Sequence, residues 1–168
     1  MPHRTVRLAC LALVLVGGCG YSLGGNLPPH VKTVAVPIFK NLTQQPAIEN
    51  VITSAVVNAF VAGGRLGVVP AEQADSLLEG DITGYTVDSI AFDPSINAQV
   101  FRLQVTLNVH FRDLKTNTTL WRQEGIQERA DFRVAGQVSQ TIAFEEGATR
   151  QAAVDIGRKI VSLALDRF

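Results

Sequence analysis

The chain has 168 residues, 15 Lys+Arg against 15 Asp+Glu, 46% apolar residues and two cysteines. That length suits one modest domain with a single core, and a balanced charge gives no general attraction to nucleic acid. Three histidines and two cysteines leave few ligands for a metal centre or a disulfide framework.

Residues 1–18 read as a leader. His3, Arg4 and Arg7 supply a basic start without an acid, and Leu8–Val16 is apolar. The nine residues of that apolar run are too few to cross a bilayer core, which needs about 20 in a helix, so the segment reads as a signal peptide. It closes on Val16-Gly17-Gly18-Cys19, which resembles the lipobox of bacterial lipoproteins; an ordinary signal peptide with an incidental cysteine is the competing reading. The lipobox resemblance implies cleavage before Cys19 and acylation of its sulfur and of the new amino terminus. Two or more acyl chains hold a protein firmly on a membrane without spanning it. Gly20 stands where an aspartate would signal inner-membrane retention, which implies the periplasmic face of the outer membrane. Cys10 leaves with the leader and Cys19 becomes the anchor, so no thiol remains for a disulfide, a metal or a nucleophile. Loss of Arg4 and Arg7 leaves 13 basic residues against 15 acidic ones.

Residues 19–30, with Gly24, Gly25, Pro28 and Pro29, read as a lipidated tether, and a single domain is expected over 31–168. Val34, Val36 and Ile38 alternate as in a strand, with Pro37 marking an edge or a bulge. Asn41-Leu42-Thr43 turns the chain. From Pro46, the residues Ile48, Val51, Ile52, Ala55, Val56, Ala59 and Phe60 recur at helical spacing until Gly63-Gly64 stops them. A brief strand over Gly67–Val69 precedes a polar turn. Leu78, Gly80, Ile82 and Gly84 then share a face until the phase switches at Tyr85 and Val87, which places a bulge near Gly84. Asp93-Pro94 marks the next turn.

The clearest strand is Ala98–Asp113. Phe101, Leu103, Val105, Leu107, Val109 and Phe111 share one side, and at about 1.5–3 kcal/mol for each buried side chain that side must face the core. Arg102, Gln104, Thr106, Asn108, His110 and Arg112 share the other. A hairpin connection at Lys115–Thr118 leads to a returning polar strand, Leu120–Ala130. A second helix over Thr141–Leu165 has Ala148, Ala152, Ile156, Ile160 and Leu163 on one face. Glu145 and Glu146 lie near its expected start and Arg158 and Lys159 nearer its end, the order a helix dipole favours. The expected fold is α+β, a two-layer sandwich of order β-α-(β)-β-β-β-α. Two helices pack on one face of a mostly antiparallel sheet of four to five strands.

Catalytic constellations are not found. His30 falls in the tether and His110 on the polar strand face, where a solvated histidine is the simpler reading, so no imidazole pair is available for zinc. No Gly-x-Ser-x-Gly elbow and no phosphate-cradling Gly-Lys-Ser/Thr occur, and no metal or other cofactor is implied. The polar face of the long strand is the sharper clue. Besides a merely solvated face, it fits docking against another polar surface such as the lumen wall of a barrel.

Three stretches together resemble one family: Gly18-Cys19-Gly20-Tyr21-Ser22-Leu23, Val31-Lys32-Thr33-Val34-Ala35-Val36-Pro37-Ile38-Phe39-Lys40-Asn41-Leu42-Thr43, and Ala74-Asp75-Ser76-Leu77-Leu78-Glu79-Gly80-Asp81-Ile82. They are similar to the LPS-assembly lipoproteins, the LptE family, and Phe92-Asp93-Pro94 and the closing helix fit the same plan. The resemblance implies a non-enzymatic outer-membrane lipoprotein that plugs a large β-barrel translocon (LptD-like), helps it assemble, and supports insertion of lipopolysaccharide into the outer leaflet. It also implies lipopolysaccharide contact through basic residues in loops at the sheet end away from the anchor. The corresponding loop here, Asp93–Gln99, has no Lys or Arg, which moves the candidates for phosphate recognition to Arg102, Arg129 and Arg133. The partner-binding candidates are Arg102, Gln104, Thr106, Asn108, His110 and Arg112. Val36-Pro37-Ile38-Phe39 followed by Asn41 also resembles the first strand of regulatory and secretion-pore lipoproteins, which is the alternative reading. A lipoprotein hydrolase would need a base such as His110 and a nucleophile that is not evident.

Overall fold

The computed structural model describes residues 27–93, 98–135 and 138–166. Six strands and two long helices follow in the order β1 (Thr33–Ala35), β2 (Lys40–Asn41), α1 (Ile48–Gly63), β3 (Gly67–Val68), β4 (Ser76–Asp93), β5 (Ala98–Asp113), β6 (Thr118–Ala135) and α2 (Val138–Asp166). A single helical turn, Ala71–Gln73, precedes β4.

The long strands β4, β5 and β6 form an antiparallel meander, because each is joined to the next by a short connection. On the outer side of β4, β1 and β2 pair with it in parallel, and β3 pairs in parallel with β1. The sheet order is β3-β1-β4-β5-β6, with β2 beside β4. The two-layer α+β arrangement is as expected, with two differences: the sheet has six strands and is mixed. The parallel pairs arise because α1 carries the chain back to the end where β1 started, so the next strand must run the same way.

Pro37 splits the expected first strand into β1 and β2. Ala47, at φ 61°, precedes α1, and Gly64, at φ 63°, ends it by donating its N–H to the Phe60 carbonyl at 3.1 Å. The expected bulge lies between Ile82 and Gly84, and a second one lies between Ser89 and Ala91. The last strand runs well past Ala130, since its pairing with β5 continues to Ala98↔Ala135. The Asp93-Pro94 turn is outside the described residues beyond Asp93.

Alternation along β5 decides the layers. Leu103, Val105, Leu107, Val109 and Phe111 are buried under α1 and α2, where Ile48, Ile52, Val56, Phe60, Ile156 and Ile160 meet them. Gly157 lets the helices approach closely, for a Cβ there would come within 2.7 Å of the Ala55 carbonyl oxygen. Phe39, itself buried, lies across Gly80 so closely that a Cβ on Gly80 would be 2.3 Å from its ring. Its backbone N–H donates to the buried Thr53 hydroxyl at 2.9 Å, which fixes the chain segment between β1 and α1 on the helix layer.

The dipole reading of α2 is corrected by its start. The helix begins at Val138, so Glu145 and Glu146 stand two turns in, and neither an acid in the first turn nor a base in the last is present. Glu145 instead accepts a hydrogen bond from Tyr85 of β4, and Glu146 faces Arg150 at 3.7 Å.

Candidate functional site: the open face of the sheet

With both helices on one side, the other side of β4–β5–β6 is uncovered among the described residues. All six residues expected on it are there, each partly exposed: Arg102, Gln104, Thr106, Asn108, His110 and Arg112. They are cross-linked to the neighbouring strands. Arg102 forks onto Asp131 through Nε and Nη2, both at 2.7 Å, and the register sets Asp88 beside it on β4. Asp131 holds the Arg102 guanidinium above its already high range, and the guanidinium holds the Asp131 carboxyl below the usual 3.8, so both stay ionised.

Further along, Arg129 Nε donates to Gln104 Oε1 at 2.7 Å, and Asn108 Oδ1 accepts from the Gly125 N–H at 2.9 Å where the β5–β6 register shifts between Leu107 and Val109. The His110 ring bonds the Thr119 hydroxyl at 2.9 Å, Arg112 Nε donates to Glu79 at 3.1 Å, and the Thr106 carbonyl accepts from the Thr83 hydroxyl at 3.3 Å. Arg102, Arg129 and Arg133 share this face, since Gln104 pairs with Arg129 and Val100 with Arg133. Two of those three guanidinia are engaged, by Asp131 and by Gln104. An incoming phosphate would have to displace them, while Arg133 is exposed.

Asp131 and Gln127, the β6 partners of Arg102 and Arg129, are not among the residues singled out from sequence. Alternation carries the signal: Gln127, Arg129, Asp131 and Arg133 are every second residue of β6. Among the described residues no cluster of His, Cys, Asp or Glu is suited to a metal ion, and no helix is long and apolar enough to cross a membrane.

A second polar cluster, not foreseen, lies where the chain enters the sheet. Asp113, 1% exposed, accepts from the Lys115 and Thr116 N–H groups at 2.8 and 3.2 Å and pairs with His30 Nε2 at 2.7 Å. Burial alone would raise its pKa, but the Thr116, His30 and Lys115 hydrogen bonds together outweigh that and bring it down to about 2. Asp75 receives the N–H groups of Lys32 and Thr33 and the Thr33 hydroxyl, which lowers its pKa. Ser76 donates to the Thr33 carbonyl at 2.7 Å. His30, read as tether, is thereby tied to the sheet, and Leu27 packs against the core.

A one-sided sheet with a cross-linked polar face presents a broad surface suited to binding. The sequence matches the model of the lipopolysaccharide-assembly family LptE over residues 31–163, most of its length. The chain belongs to the LptE family. It is thus a bacterial envelope lipoprotein of lipopolysaccharide assembly, in a family of non-enzymatic proteins. No curated protein matches the sequence. Among solved structures, a lipoprotein of Caulobacter crescentus CB15 is similar at 16% identity and a TM-score of 0.51, covering 75% of this chain and 87% of that one. A Xanthomonas campestris protein of the DUF330 family is similar at 14% identity and a TM-score of 0.52, covering 83% and 89%. At such identities these likenesses speak for the fold alone.

Proposed function

We propose that this LptE-family chain is cleaved after residue 18, lipidated at Cys19 and held on the periplasmic face of the outer membrane. There its 31–168 domain plugs the lumen of a large β-barrel lipopolysaccharide translocon, helps that barrel assemble, and supports passage of lipopolysaccharide to the outer leaflet. Beyond family membership, the observation that supports this reading is the open sheet face. Its six β5 side chains are polar and partly exposed, and those of Arg102, Gln104, Asn108, His110 and Arg112 are held by hydrogen bonds to β4 and β6, as a surface docking against a polar lumen wall requires. Arg102, Gln104, Thr106, Asn108, His110 and Arg112 are the contact residues of this reading. Phosphate recognition falls to Arg133 first, with Arg102 and Arg129 available once their partners are exchanged.

The test is capture of the tagged, lipidated protein from outer membranes in mild detergent, with mass spectrometry of what accompanies it. The expected result is a large β-barrel in near-equimolar amount; a peptidoglycan synthase or a secretion component in its place overturns the reading. Changing Arg102 and Arg133 together to alanine is expected to weaken direct binding of lipopolysaccharide, and unchanged binding removes that part.

A further inference from the structure

The sheet has two long outer edges, and they are treated differently. On β6, the Leu107↔Ile126 register and the alternation that follows turn the backbone of Gln127, Arg129, Asp131 and Arg133 outward. Three of these four residues are charged, and the Gln127 carbonyl is taken by Lys159 Nζ at 3.2 Å, an ammonium that also bonds Glu128. Charge and a covering side chain are the usual protections of an edge strand.

On β4, β1 and β2 cover the outer edge only as far as Ile82, whose carbonyl accepts the Leu42 N–H at 2.9 Å. Because that carbonyl points outward, Ile82 and Leu107 form a non-hydrogen-bonded pair. Thr106, and with it Gly84 after the bulge, then face one another. The same alternation turns the N–H and C=O groups of Tyr85, Val87 and Ser89 outward. None of the three is charged, and among the described residues no group caps their backbone. The bulges after Ile82 and Ser89 bracket this segment and set its length. A cleft of about 370 Å³ bordered by Thr43, Gln45, Gly84 and Tyr85 keeps its beginning accessible.

We propose that the bare β4 edge at Tyr85–Ser89 receives an extended strand from the same barrel partner that docks on the adjoining open face. The chemistry selects an extended backbone, because a row of outward amides and carbonyls is satisfied by another strand and by little else. A second copy of this chain is the poorer occupant: five residues a side is far from the roughly 20–30 residues a side of a stable interface, so the added strand must belong to a body already held elsewhere. This chain's own tether is poorer too. It joins the domain at the other end of β4, where β1 already occupies the edge at Ser76 and Leu77. The inference rests on the plug reading given above.

The experiment is residue-resolved hydrogen–deuterium exchange of the full lipidated chain, alone and in the captured complex. Alone, the amides of Gly84, Thr86 and Asp88, which the register turns toward β5, are expected to exchange slowly, and those of Tyr85, Val87 and Ser89 fast. In the complex, Tyr85, Val87 and Ser89 are expected to slow by about tenfold or more, a pattern that docking on the face alone does not produce. Val87→Pro removes one outward N–H and leaves the β5 ladder whole; it is expected to reduce the barrel retained through a detergent wash by about fivefold while circular dichroism stays unchanged. If the variant does not fold, exchange in the unmodified chain decides alone. Barrel recovered with all three amides still fast overturns the edge proposal and leaves the plug reading standing. No barrel overturns both, and protection that grows with protein concentration in the absence of barrel assigns the edge to self-pairing instead.

Discussion

At the end of the sheet where the chain enters, Asp113 and Asp75 each gather several donors, and both helices finish there, with Arg65 Nη1 donating to the Leu165 carbonyl at 3.2 Å. Toward the other end the ties thin out. Tyr85 reaches Glu145 and Thr149 of α2, at 2.8 and 3.0 Å, and beyond it Ile90, Ile142 and Phe144 are 44%, 58% and 48% exposed. The first end is closed by partly buried hydrogen bonds, while the second presents exposed apolar side chains and, among the described residues, uncapped backbone at Tyr85, Val87 and Ser89. A molecule so built is anchored by hydrogen bonds at the first end and leaves apolar surface exposed at the far one.

The most severe challenge to that contrast is Gly80→Leu in the anchored half, which would drive a side chain into the buried Phe39 ring. A loss of about 4 kcal/mol, or failure to fold, is expected in denaturant titration. Asp113→Ala strips the acceptor from two backbone N–H groups and from His30 inside the protein. It is expected to cost about 3 kcal/mol by the same titration.

Acid sharpens the comparison without a mutation. The Asp113 carboxyl has its pKa lowered from the ordinary 3.8 to about 2, so its contribution is fully present above about pH 4 and disappears as pH falls toward 2. Thermal melting between pH 5 and 2 is expected to show that loss, and Asp113→Asn should flatten it.

Tyr85→Phe tests the tie between the far half of β4 and α2. The phenol is pushed up to about 12, by burial first and then by the Glu145 carboxylate, so it stays protonated and donates throughout the physiological range. Its removal is expected to lower stability by about 1 kcal/mol. At the far end itself, Ile142→Ser and Phe144→Ser are expected to change stability by no more than about 0.5 kcal/mol. A large loss from either would show that this end is held as firmly as the other.

Most of the framework was legible in the amino-acid order because it follows from periodicity. The β5 alternation separated core from open face residue by residue, and Gly63-Gly64 and the phase switch at Tyr85 placed a helix stop and a bulge where they are observed. The parts not legible are those that depend on long-range pairing. Nothing local to His30 or Asp113 announces that residues 83 positions apart will meet, and a histidine amid prolines and glycines reads as tether. Likewise Arg102 looked free in sequence, because its Asp131 partner is supplied by strand register. Glu145 reads as a helix-start acid because no local signal places the start at Val138, and its partner Tyr85 lies 60 residues away.

The anchored end also bears on the order in which the domain is made. The meander β4–β5–β6 joins neighbours through short connections, whereas His30–Asp113, Thr33–Asp75 and Arg65–Leu165 span 83, 42 and 100 residues. Loop closure delays such distant contacts, so the meander is expected to form early and the entrance to lock late. If Cys19 is lipidated as proposed, a chain delivered amino end first carries its lipid before the final helix arrives, and the entrance would lock only after the chain is held at the membrane.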